Sequence, residues 1–133
     1  MTVQTATMPQ SSRAGALVDV CAVTDLETER GRAALLPDGT QVALFLLPDG
    51  AVRVVSNCDP YAGANVLSRG IVGTRLVADG TETPTIASPL HKQVWDLRTG
   101  EVLETHGREA RHLPVHAVEI DGGRVLIGEA ETR

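Results

Sequence analysis

Few side chains in this 133-residue sequence can do chemistry, and two stretches hold the most suggestive of them. Residues 57–70 read NCDPYAGANVLSRG and residues 86–100 read IASPLHKQVWDLRTG. The first holds Cys58, a thiol able to act as a nucleophile or metal ligand once deprotonated. No cation adjacent in sequence would lower its pKa, so an inert, buried or half-buried thiol is the simpler reading. The second holds Ser88 three residues before His91. A Ser-x-x-His spacing suggests a nucleophile with its base, but no third group or oxyanion donor accompanies it. His91 could be a ligand, a proton carrier or a loop brace, and a hydrogen-bonded structural histidine is the expectation. His106, His112 and His116 form a possible metal trio. Their segment reads as extended, however, where residues four apart lie about 13 Å from each other. Surface histidines are expected. Trp95 reads as core or as a cap over the loop, with an interface anchor as the other use of a tryptophan.

The elements that must position these groups are strands. Asp-Gly occurs at 38–39, 49–50, 79–80 and 121–122, and this pair tolerates the positive φ of tight hairpin turns. Three of the four separate runs of β-branched or aliphatic residues: 32–36 from 40–47, 40–47 from 51–55, and 115–120 from 124–127. A further hairpin is predicted from 93–97 through Arg98-Thr99-Gly100 to 101–103. Leu17 to Val23 would open the fold, and Thr24-Asp25-Leu26 would make a single helical turn. Residues 74–85, TRLVADGTETPT, are polar and turn-rich and read as an exposed loop. Residues 1–16 read as a flexible tail without a secretion signal, and 17–133 as one all-β domain, a small antiparallel sandwich or barrel.

Composition narrows the function classes. Apolar residues make up 42% of the chain, with a single Phe, Tyr and Trp, so the core must be aliphatic. A net charge of −5 gives no electrostatic reason to seek phosphate backbones, which argues against nucleic acid. No stretch is long and apolar enough to span a bilayer. Cys21, inside the apolar run LVDVCAV, reads as a buried small hydrophobe, and two widely spaced cysteines make no disulfide framework. A soluble cytoplasmic protein is expected.

The two proline-tipped stretches resemble the cluster-binding loops of a Rieske iron–sulfur domain. There the first loop carries C-x-H and the second C-P-x-H, one iron taking the cysteines and the other the histidines. Trp95-Asp96-Leu97-Arg98-Thr99-Gly100 resembles the family's continuation after the second loop, and the resemblance covers roughly residues 17–130. Cys58 and His91 match ligand positions. The other two positions hold Pro60, which has no donor, and Ser88, a poor ligand beside a thiolate. The strings NCDPYAGANVLSRGIVG and ASPLHKQVWDLRTG are similar to the small subunit of assimilatory NADH-dependent nitrite reductase, a Rieske-type fold whose ligands are replaced. That resemblance implies a non-catalytic partner with no cofactor of its own, inactive when isolated. Its large subunit would carry FAD, an iron–sulfur cluster and sirohaem, and would take electrons from NADH to nitrite in nitrate assimilation. The alternative is a Rieske-type electron-transfer ferredoxin with altered ligands. By analogy with Rieske proteins, the loop tips are the expected docking surface, with Tyr61, Arg69, Lys92 and Trp95 as interface candidates.

Overall fold

The computed structural model describes residues 17–131; the expected tail at 1–16 and the last two residues lie outside them. Twelve strands follow one another: β1 Val18–Ala22, β2 Arg32–Leu35, β3 Gln41–Leu46, β4 Val52–Ser56, β5 Cys58–Asp59, β6 Ala64–Asn65, β7 Ile71–Leu76, β8 Glu82–Ala87, β9 Val94–Asp96, β10 Val102–Glu104, β11 His116–Asp121 and β12 Arg124–Ala130. Single 3-10 turns at Val23–Asp25 and Leu67–Arg69 are the helical structure among the described residues. No helix there is long and apolar enough to cross a membrane.

All ladders are antiparallel and make three main sheets, β1-β12-β11, β2-β3-β4 and β10-β9-β8-β7, with the small ribbon β5-β6 beside them. The burial of β3 explains the layering. Four successive residues, Val42, Ala43, Leu44 and Phe45, are fully buried, whereas a strand with one wet face would alternate. Side chains alternate sides along a strand. Ala43 and Phe45 therefore enter one core with Val55, Leu67, Ile86, Trp95, Leu97 and Leu113. Val42 and Leu44 enter the other, with Cys21, Leu36, Val54, Val125 and Ile127. The β2-β3-β4 sheet is the middle layer between two cores. Burial pushes the Cys21 thiol pKa up, as befits a small core residue.

The Asp-Gly turns behave as their chemistry requires. In Leu36–Thr40, Gly39 N donates to Leu36 O and Leu36 N to Thr40 O, with Gly39 at φ 91°. The same bonds recur in Leu47–Ala51 and Val77–Thr81. In all three the aspartate Oδ1 accepts the N–H two residues on, at 2.9 Å. The third corrects the expected exposed loop at 74–85, which is instead the β7-β8 hairpin with Asp79-Gly80 at its tip. Pro84 and three threonines disguised β8. A proline lacks the ladder N–H and argues against a central strand, yet Pro84 O accepts Leu97 N just past the end of β9 at Asp96. The proline nitrogen faces the same side, where no ladder continues.

Candidate functional site

The site lies where the segment from Cys58 to Gly70 meets the turn from Ser88 to Gln93. The first loop is bracketed from within by Asn57, 1% exposed. Its amide donates to Gln41 Oε1 and Asn65 O, both at 3.3 Å, and its Oδ1 accepts Ser68 N at 2.7 Å. Gly70 then lets the chain pass close to β8, because a Cβ there would collide with Ala87 O. The second loop is closed by Ser88 N donating to Gln93 O at 2.9 Å, with Lys92 in the left-handed region at φ 67°.

The loops meet through a pair of polar side chains. Ser88, 1% exposed, donates its hydroxyl to Asp59 Oδ2 at 2.5 Å. Asp59 is fully buried, and its Oδ1 accepts the N–H groups of Tyr61 at 2.8 Å and Ala62 at 3.3 Å. Ser88 Oγ in turn accepts Leu90 N at 3.1 Å. Each side chain thus holds the turn of its own loop while bonding to the other.

A third segment straps both loops. Tyr61 Oη donates to Glu109 O at 2.6 Å and accepts Arg111 N at 3.0 Å. An Arg111 guanidinium N–H donates to Pro60 O at 3.2 Å. The guanidiniums of Arg108 and Arg111 lie 5.8 and 5.9 Å from the Tyr61 ring centre, within cation–π range. His106 Nε2 donates to Lys92 O at 2.9 Å, and Trp95 Nε1 donates to Arg111 O at 2.9 Å.

The structure sorts the sequence candidates. Cys58 is a free, half-buried thiol, its Sγ 3.8 Å from Asp59 O. Arg69 and Lys92 are exposed, next to the exposed Ile71 and Leu90. Tyr61 is half-buried with its hydroxyl fully engaged. Trp95 is 0% exposed and bonded inward, in the core as its first reading has it, so it drops out of the interface candidates. Two expectations are corrected. The exposed His91 ring makes no hydrogen bond among the described residues, because the loop turns it outward. His116 is 6% exposed instead of lying at the surface, its Nδ1–H donating to Gly128 O at 2.9 Å. His106 and His112 are exposed, and no group of three His, Cys, Asp or Glu among the described residues is placed to hold a metal ion. Sequence reasoning missed Asp59. Its position between two ligand positions was the available signal, but nothing local says that a carboxylate there turns inward.

The buried Asp96 explains the conspicuous Trp-Asp-x-x-Thr-Gly run. Its Oδ1 accepts Thr83 Oγ1 at 2.8 Å and Arg98 N at 2.7 Å. Gly100, at φ 79°, lies where any Cβ would collide with Leu113 O. These residues build the turn that carries Trp95 beneath the loops.

A two-iron cluster of Rieske type needs two thiolates and two imidazoles. Pro60 offers no donor, and Ser88 commits its hydroxyl to the buried Asp59 carboxylate. These residues do not fit that group.

Comparison with known proteins adds four findings. The family model for a Rieske-like [2Fe-2S] domain matches residues 16–128. The nitrite reductase (NADH) small subunit of Escherichia coli K12 is 37% identical over 95 residues, 71% of this chain and 82% of that protein. The nitrite reductase [NAD(P)H] large subunit of Klebsiella oxytoca is 32% identical over 112 residues; these are 84% of this chain and only 11% of that much longer protein. Among solved structures, a protein described as an NADH-dependent nitrite reductase small subunit from Mycobacterium tuberculosis superposes with a TM-score of 0.76. It is 37% identical, and the match covers 91% of this chain and 99% of that one.

Proposed function

Because the chain belongs to the Rieske-like [2Fe-2S] domain family, we propose that it is a cluster-free small subunit of an NADH-dependent nitrite reductase. In this reading it docks on a large subunit that carries FAD, an iron–sulfur cluster and sirohaem and reduces nitrite to ammonium. The chain itself holds no redox centre and catalyses nothing alone. The observation that carries the reading is the similarity to a curated small subunit across 82% of that protein's length. The poor fit of Pro60 and Ser88 to a two-iron cluster weighs against the altered ferredoxin. The cytoplasm, where NADH is held, is the compartment of the complex.

The surface that suits docking is the loop end. The exposed Arg69, Lys92 and Arg108 lie on or against the two loops, with Arg111 there paired to Glu109 at 3.4 Å, in a chain of net charge −5. Beside them lie Ile71 at 69% and Leu90 at 48% exposure. Apolar anchors with a basic rim fit an acidic-rimmed apolar patch on the partner.

The test is co-expression of a large subunit with and without this chain, followed by nitrite-dependent oxidation of NADH and co-purification. Association and a higher rate with the chain present are expected, together with a colourless isolated chain. Stoichiometric iron and sulfide in the isolated chain would revive the ferredoxin. A chain that neither associates nor changes the rate refutes the subunit reading.

A further inference from the structure

Resting on that cluster-free reading, we propose that the Asp59 carboxylate is the internal substitute for the missing metal. It occupies the place an iron would take at position 88 and fastens the two loops to each other.

Distance and direction carry the inference. A thiolate at a second-loop ligand position would hold its metal at roughly 2.3 Å from sulfur. Asp59 Oδ2 lies 2.5 Å from Ser88 Oγ, the atom in that place. A hydroxyl donates at a near-tetrahedral angle from its Cβ, and a thiolate coordinates a metal at a similarly bent angle. The carboxylate oxygen and a metal therefore compete for one volume. Both residues are shut off from solvent, at 0% and 1% exposure, so the bond between them is made in the interior.

The sequence position of Asp59 sharpens the point. It is the middle residue of the first-loop triplet, between Cys58 and Pro60, whose side chain has no ligand role in the cluster pattern. Here that side chain turns inward and does what a cluster would otherwise do, linking the loops and holding their tips. It is a positioning residue, and its partners on both loops, Tyr61 N, Ala62 N and Ser88 Oγ, are all satisfied by its two oxygens. Restoring the ligand types alone then does not restore a site, because the carboxylate still stands in the iron's place.

The experiment uses the full chain with ferrous iron and sulfide under anaerobic reconstitution, read by iron and sulfide content and by visible absorption. The wild type is compared with the double variant Pro60→His/Ser88→Cys and with the same pair plus Asp59→Ser. Serine keeps an acceptor for Tyr61 N–H but withdraws the distal oxygen. The double variant is expected to remain nearly iron-free and the triple variant to take up a cluster, an increase on the order of tenfold. Equal loading of the double and triple variants, high or low, overturns the role of Asp59 and leaves the cluster-free reading standing. Stoichiometric iron in the wild type overturns that reading itself. A second measurement does not depend on the multiple variants folding. Ser88→Ala is expected to speed hydrogen exchange at the Tyr61 and Ala62 amides, on the opposite loop, by on the order of tenfold. Unchanged exchange there also overturns the proposal.

Discussion

At the scale of single residues, the loop end is built from side chains that each satisfy more than one backbone. Tyr61 is the plainest case. It joins the first loop to the strap through two hydrogen bonds made by one oxygen, and its ring packs 5.9 Å from that of Trp95. A hydrogen bond of this kind contributes about 1 kcal/mol net, while the ring's burial is untouched by removing the hydroxyl. Tyr61→Phe is therefore expected to lower unfolding stability by about 1 kcal/mol in urea titrations and to speed exchange of the Arg111 amide. A stability within about 0.3 kcal/mol of wild type would mean that the strap is held by Trp95 and Arg111 alone. The contrast between Tyr61 and Trp95 also shows what an aromatic residue's identity leaves open. Both could anchor an interface, and the three-layer packing placed one of them wholly inside.

At the scale of elements, three hairpins share one connection, and their aspartates make that connection sensitive to acid. The backbone N–H of Thr40 and, at Asp79, chiefly the hydroxyl of Thr81 hold the carboxyl pKa values of Asp38 and Asp79 below the ordinary aspartate value. A depressed folded pKa means that the unfolded chain binds protons first. The contribution is then full above the ordinary aspartate pKa and is lost as pH falls through the lowered values. Asp38→Asn/Asp79→Asn keeps the accepting oxygen but cannot titrate. Urea midpoints of this variant are expected to fall less steeply than wild type between about pH 5 and pH 2, with little difference near neutrality. Parallel acid limbs would show that the turns do not contribute to acid unfolding. The same Asp-Gly signal was readable in three of the four places where it occurs. At Asp79-Gly80 it is masked, because Thr, Glu and Pro around it lack the aliphatic alternation of a strand. β8 is nonetheless a central strand whose buried face includes Thr83 and Thr85, with Thr83 bonded to the buried Asp96.

At the scale of the whole molecule, charge is distributed against its own total. The chain is acidic, yet the loop end presents Arg69, Lys92, Arg108 and Arg111. Docking by that face, as proposed, would depend on the partner's acidic groups, so Arg69→Glu/Lys92→Glu is expected to weaken association with the large subunit by more than tenfold, mostly through slower association. Raising salt from about 0.05 M to 0.5 M should weaken the wild type in the same direction. Thermal unfolding of the isolated chain should be unchanged, since both residues are exposed; undiminished co-purification would move the docking surface elsewhere. The sequence by itself determined the all-β class, most strand positions, the two loops and the absence of an imidazole or thiol at Pro60 and Ser88. Those properties are local: alternation, turn residues and the presence or absence of a donor atom. Only the tertiary structure decided that β3 is buried on both faces, that residues 71–87 form a hairpin, that Trp95 and His116 lie inside while His91 lies outside, and that Asp59 meets Ser88. Those outcomes depend on which layer covers which face and on contacts between residues 29 positions apart, and packing over such separations leaves no trace in the spacing of neighbours along the chain.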